Sequence, residues 1–334
     1  MLIKENIIST NYEKYIPKQL KSLFSSDFII LDIETTGFSR KKASVILIGL
    51  LIKSENQLIS KQIFSESLKE EASILLELIN ILESLKDYFF ITYNGHSFDL
   101  PFINSKLRQH NINYQINLNN NFDLYRLIRK NKNLINLKRY NLKTIEKFLD
   151  INRSDTISGK ESIQLYYDYL ATGSETKLEK ILLHNYEDIR YLIPLLKILK
   201  YFSYNQIMTV FPKKIGNNSF LEEWTIHKNF LILDITNIEK SQVNYFDEFC
   251  TIKSTQDKLT IKVALKEFLI DDINYHLINH KVFYKKDFDH LNPKTKNNLI
   301  VSIKNEIQFD KLMSNIKKII EKYSIRKVSM DNKS

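Results

Sequence analysis

Hydrophobic and polar positions change rhythm several times along the 334 residues. Residues 28–33 form a short apolar run broken only by Asp32, the signature of a buried strand. Two further segments, the apolar 45–52 and the mixed 57–64, are separated by the polar residues 53–56, which predicts a hairpin. Leu68, Ala72, Leu75, Leu78, Leu82 and Leu85 then recur at helical spacing. Ser67 and Glu70 stand before them at the spacing of a capping box. Residues 87–92 return to strand. The order strand, hairpin, helix, strand predicts an α/β fold with a mixed sheet flanked by helices.

Elsewhere the pattern divides the chain. Residues 1–27 mix polar and apolar positions and are expected as an N-terminal helical extension. Residues 100–109 look helical, 111–121 form an asparagine-rich loop, and the chain after Asp123 is mainly helical. Ser174 is placed to cap a long helix running to about Lys200, which Pro194 should kink because it cannot donate to the carbonyl of Arg190. Residues 211–219, FPKKIGNNS, have little to bury and read as a linker. Beyond it, 230–235 reads as a strand, and Leu259, Ile261, Val263 and Leu265 alternate with polar residues at period two. Two more strands are expected within 268–284. Asp310 is placed to cap a last helix with Leu312, Met313, Ile316, Ile319, Ile320 and Tyr323 on one face. The expected organisation is therefore 1–27, a main domain over 28–205, and a small C-terminal α+β domain over 217–330 that carries no catalytic constellation.

Composition narrows the class. Hydrophobic residues at 43% and charged residues at 26% support packed cores rather than disorder. The single cysteine, Cys250, excludes an intrachain disulfide or a cysteine-based zinc site and suits a reducing compartment. No apolar stretch approaches the roughly 18–20 residues of a membrane helix, and residues 1–10 lack a signal-peptide core. A soluble cytoplasmic protein without membrane association is expected. The net charge is +10, and residues 106–147 hold ten basic side chains against only Asp123 and Glu146. Such a stretch is either a solvated face or a surface for a polyanion.

The chemistry-bearing residues are carboxylates. Asp32 and Glu34, in LDIETTG, are two apart on a strand and share a face. Left bare they repel; a divalent cation removes that conflict. Alone, such a pair also fits two solvated acids on an edge strand. Asp99, in YNGHSFD, follows a turn after the strand 87–92 and alone would fit a helix N-cap. His184 and Asp188, in HNYED, are four apart on a helix and share a face, which also fits a structural pair.

Together, in this order, DxETTG, YNGxxFD and HNxxD resemble the DEDD exonuclease superfamily, the DnaQ-like branch of the ribonuclease-H-like fold. More closely, the chain resembles the YprB-type ribonuclease-H-like domain over residues 28–199. The segments Phe122-Asp123-Leu124, Ile157-Ser158-Gly159-Lys160-Glu161 and Tyr166-Tyr167-Asp168-Tyr169-Leu170 agree in order. The resemblance implies a 3′→5′ exonuclease acting on the 3′ end of single-stranded DNA or RNA. It implies two ions, Mg²⁺ or Mn²⁺, held by Asp32, Glu34, Asp99 and Asp188. One branch of the superfamily has histidine five residues before the last aspartate, here Leu183; another has tyrosine four before, here His184. His184 is thus the candidate to orient or deprotonate the attacking water. Thr35, Thr36, Gly37, Asn94 and Phe98 are candidates to contact the terminal nucleotide. Arg126, Arg129 and Lys130 are candidates to follow the phosphate backbone, with Tyr125 and Tyr140 among them to stack bases or pack in the core. Alternative readings are a structure-specific endonuclease of the same fold, or a nucleic-acid-binding module with lapsed activity.

Overall fold

The computed structural model describes residues 1–9, 11–54, 57–85, 87–155, 157–215, 219–236, 244–255, 258–270, 273–279, 282, 300–303, 306–309 and 311–319. The chain divides into two units, Met1–Phe211 and Pro212–Ser334. The division lies inside the stretch expected as a linker.

In the first unit the apolar run at 28–33 extends into strand β2 (Asp27–Thr35). It lies antiparallel to β3 (Val45–Ser54), which pairs with β4 (Gln57–Phe64), as the hairpin pattern requires. Helix α1 (Glu71–Ser84) leads to β5 (Tyr88–Thr92), which joins β2 in parallel. Helix α2 (Asp99–Gln109) follows, and then β6 (Asn121–Asp123), parallel to β5. Four further helices are α3 (Leu124–Lys130), α4 (Leu142–Phe148), α5 (Gly159–Thr172) and α6 (Glu175–Leu195).

Alternation along β2 sends Ile29, Leu31 and Ile33 to one face, where they pack with Ile74, Leu75 and Leu78 of α1 and with Leu100, Phe102 and Ile103 of α2. On the other face α5 and α6 close a core of Ile46, Leu47, Phe64, Tyr166, Ile181 and Leu182. Asp32 and Glu34 belong to this second face.

The N-terminal expectation is corrected. Among the described residues of 1–27 there is no α-helix. Leu2–Ile8 is strand β1, antiparallel to β4 with Leu2 opposite Phe64, giving a six-stranded sheet of order β1-β4-β3-β2-β5-β6. Two 3₁₀ segments, Tyr12–Tyr15 and Lys18–Phe24, follow. Pro17 between them lacks the N–H that a continuous helix needs. Ile16, Leu20 and Phe24 are buried, and their spacing of four imitates a helical stripe.

Helix ends also differ from expectation. Ser67 makes no capping bond; the Glu70 carboxylate accepts the N–H of Glu66 instead. Capping boxes form at Ser158/Glu161 and Ser203/Gln206, the latter opening α7 (Tyr204–Met208). Ser174 precedes α6, but its hydroxyl meets that of Thr176. The helix ends one residue after Pro194 and tightens into a 3₁₀ segment, Leu196–Tyr201.

Among its described residues, the second unit forms an eight-stranded antiparallel sheet and the helical residues 311–319. Its strands are β7 (Leu221–His227), β8 (Phe230–Thr236), β9 (Asn244–Phe246), β10 (Cys250–Ser254), β11 (Lys258–Ile270), β12 (Ile273–Ile278), β13 (Ile300–Ile303) and β14 (Glu306–Ile307). The period-two alternation at 259–265 lies on β11, with Ile261, Val263 and Leu265 buried. Leu312, Ile316 and Ile319 of the helical residues 311–319 are buried. Asp310, Ile320 and Tyr323 lie outside the described residues.

Candidate active site

Three elements deliver four acids and a histidine to one cleft of about 750 Å³. Asp32 and Glu34 come from β2, Asp99 from the first turn of α2, and His184 and Asp188 from α6; all five line the cleft.

Each is held by its neighbours. The register places Asp32 opposite Gly49 on β3, and Gly49 opposite Gln62 on β4. Over this row lies Asn185 of α6, fully buried. Its amide donates to Asp32 Oδ2 at 3.0 Å and accepts from Gln62 Nε2 at 3.0 Å. A Cβ on residue 49 would stand 2.2 Å from Asn185 Oδ1, so only glycine lets the helix approach here. Asp99 Oδ1 accepts the N–H of Ile33 at 3.1 Å; Asp99 begins α2 but does not cap it.

The turn between β5 and α2 is fixed by Asp123. This fully buried carboxylate accepts the N–H groups of Asn94, His96, Tyr125 and Arg126. It joins the YNG turn to the start of α3. Asn94 has φ 71°, a left-handed conformation that asparagine tolerates.

His184 carries the most specific geometry. Its Nδ1 meets Asp155 Oδ2 at 2.8 Å, and its Nε2 lies 3.6 Å from Glu34 Oε1 and 4.0 Å from Asp188 Oδ2. Asp155 is itself anchored: its N–H donates to Glu187, and its Oδ1 accepts from Ile157. The Arg153 guanidinium, almost fully buried, bridges Asp188 and Glu146.

Burial and mutual repulsion dominate the electrostatics. Burial pushes the Asp32 carboxyl well above its usual range, reinforced by Asp188, Asp99 and Glu34 and partly offset by the Asn185 amide. Glu34 is pushed up to about 7, by burial first, against the pull of His184. Asp99 also rises to about 7 through burial, against the N–H of Ile33. For His184, burial pulls downward, but Asp188, Glu34 and Asp155 outweigh it and the imidazole is raised.

Acids so crowded call for a cation. Glu34, His184 and Asp188 each offer a ligand atom within 4.8 Å of the others. Hard carboxylate oxygens with one imidazole fit a divalent metal. Asp32 and Asp99 stand outside that group of three but in the same cleft.

The other expected contact residues separate. Thr35, Gly37, Asn94 and Phe98 line the cleft. Thr36 does not; its hydroxyl accepts the N–H of Ser44. Arg126, Arg129 and Lys130 sit on α3, outside the cleft lining. Sequence reasoning missed Asp155, Arg153, Asn185, Gly49 and Gln62, and also Lys143, Lys160 and Phe38, which line the cleft. Two signals were available: a lone glycine within an apolar strand, and an asparagine inside HNxxD.

Among the described residues no helix is long and apolar enough to cross a membrane. No curated protein matches the chain by sequence. Among solved structures, a family B DNA polymerase from the hyperthermophilic archaeon Pyrobaculum calidifontis is similar at 12% identity and a TM-score of 0.39. The match covers 55% of this chain and 28% of that one, so this chain spans little more than a quarter of the polymerase's length. A family model described as RNase_H superfamily matches residues 29–200, which hold the strands and helices that carry the five cleft residues, and the chain belongs to the RNase H superfamily.

Proposed function

We propose that the protein is a divalent-metal-dependent 3′→5′ exonuclease that hydrolyses phosphodiester bonds of single-stranded nucleic acid by a two-metal mechanism. One observation carries this reading: Asp32, Glu34, Asp99, Asp188 and His184, drawn from three elements, line a single cleft. In it the four carboxylates would hold two ions, Mg²⁺ or Mn²⁺, and the chemistry these would supply is a coordinated water of lowered pKa and positive charge to meet that building on the phosphate.

The chain's own groups do the rest. Asp155 holds Nδ1 of His184, which leaves Nε2 turned toward Glu34 and Asp188. In the tautomer with hydrogen on Nδ1, Nε2 accepts a proton from the attacking water. Asn185 fixes Asp32 against the sheet, so the acid nearest the sheet centre does not swing. Thr35, Gly37, Asn94 and Phe98 receive the terminal nucleotide, and Lys160 at the rim meets its phosphate.

The test is hydrolysis of 3′-labelled, 5′-labelled and circular oligonucleotides of DNA and RNA with Mg²⁺, Mn²⁺ or EDTA. Metal-dependent release of single nucleotides from the 3′ end is expected. Cleavage of circles would replace this reading with an endonuclease, and inertness toward every substrate would replace it with a binding module.

A further inference from the structure

Residues 124–140 contain no carboxylate, yet carry Arg126, Arg129, Lys130, Lys132, Lys138 and Arg139. Among the described residues, no ion pair engages Arg126, Arg129, Lys132, Lys138 or Arg139, and the last four of these are exposed. A stretch serving only as a solvated face ordinarily mixes both signs. Aromatic rings interleave the charges. The Arg129 guanidinium lies 5.9 Å from the ring of Tyr125 and 5.6 Å from that of Tyr140. The Tyr125 ring continues to Tyr93, 5.6 Å away between centroids.

This series joins the cleft at both ends. Tyr93 lines it, and so do Asn141, Leu142 and Lys143, which directly follow Tyr140. The Tyr93 hydroxyl donates to the carbonyl of Tyr140, tying the two ends together.

We propose that this face is the track along which a single strand leaves the cleft. The strand's phosphates lie against Lys132, Lys138 and Arg139, and one base stacks at the Tyr125–Arg129–Tyr140 rung. The inference rests on the nuclease reading for what occupies the cleft. Unpaired cations supply sequence-independent affinity, and the half-buried rings of Tyr125 and Tyr140 offer π surface that distinguishes a single strand, whose bases are free, from a duplex, whose bases are stacked. The side chains singled out by sequence reasoning, Arg126, Arg129 and Lys130, form only part of the basic stretch, which the exposed Lys132, Lys138 and Arg139 continue along the chain.

The test measures binding without hydrolysis. Fluorescein-labelled oligo-dT and oligo-U of three and twelve nucleotides, and an abasic twelve-mer, are titrated in EDTA across a series of NaCl concentrations. The full chain is compared with K138Q/R139Q and with Y140A, with thermal melting as a control for folding. The twelve-mer should bind more tightly than the three-mer. The double variant should lose much of that gain, and its salt slope should fall by about 0.7 for each phosphate contact removed. The abasic twelve-mer should bind about 5- to 150-fold more weakly, and Y140A should lose that discrimination. Unchanged length dependence and salt slope in a folded K138Q/R139Q protein would overturn the track. Equal affinity for abasic and normal strands would remove the stacking rung. If the wild type binds in this way but hydrolyses nothing with Mg²⁺ or Mn²⁺, the nuclease reading fails and the track stands.

Discussion

Replacing Gly49 with alanine tests how the helix bearing His184 and Asp188 is seated on the sheet. The new methyl would stand 2.2 Å from Oδ1, 2.6 Å from Nδ2 and 2.7 Å from Cγ of Asn185. All three are closer than real contacts allow, and Asn185 is fully buried, so its amide has no free space to enter. Overpacking of this kind costs about 1–3 kcal/mol. Moving the amide also breaks its bonds to Asp32 and Gln62, each contributing about 0.5–1.5 kcal/mol. The gain from replacing a strand glycine, about 0.5–1 kcal/mol, offsets part of this. A net loss of about 1–5 kcal/mol is expected, which lowers the melting temperature of a unit this size by about 2–20 °C.

Asn185→Ala alone should cost about 1–3 kcal/mol, since it strips partners from two buried groups. In the double variant the clashing atoms are gone, so its stability should match that of Asn185→Ala. Urea and thermal unfolding of the four proteins, followed by circular dichroism, measure this cycle. Additivity of the two losses within about 0.5 kcal/mol would show that helix and strand do not meet as described.

Asp32→Asn keeps the amide contact with Asn185 but removes a charge from the cleft; hydrolysis should be abolished while circular dichroism stays native. Glu34 and Asp99 have folded-state pKa values raised to about 7, so the folded protein binds more protons than the unfolded chain between about pH 4 and 7. Without metal, their contribution to stability therefore falls as pH rises through that window, and the raised His184 acts in the same direction. The melting temperature in EDTA should drop between pH 5 and 8, and Mg²⁺ should restore it at pH 8; a flat profile would contradict this. Asp155→Asn removes the carboxylate facing Nδ1 of His184, so kcat should fall by about 10²–10⁴-fold with KM nearly unchanged. Steady-state kinetics on a short oligonucleotide would check this, and restoration of activity by Asp155→Glu would separate positioning from general loss of structure.

The central sheet was readable because strands such as 28–33 and 45–52 are buried on both faces and so are almost wholly apolar. The five cleft residues were readable because each lies in a short motif within or directly after a strand, or on one helix face. Residues 1–27 misled because Ile16, Leu20 and Phe24 repeat every fourth position, a spacing that 3₁₀ turns docked on the sheet also satisfy. Strand β1, mostly exposed at the sheet edge, carries little apolar signal. Asp155 and Arg153 were invisible for a different reason. They lie in a connection without periodicity, and only the folded chain brings them to residues 29 and 35 positions away.

The seating of Asn185 on Asp32 also sets a timetable for synthesis. The two residues are 153 positions apart. At about 5–20 residues per second, a ribosome needs about 8–30 s to make the intervening chain. Through that interval β2, β3 and β4 can pair, yet Ile46, Leu47 and Phe64 have no Ile181 or Leu182 to cover them. The glycine notch that receives Asn185 is open for the same period. A nascent chain stalled before α6 therefore carries a half-finished sheet with one oily side, the kind of surface that chaperones hold and that aggregates when they do not.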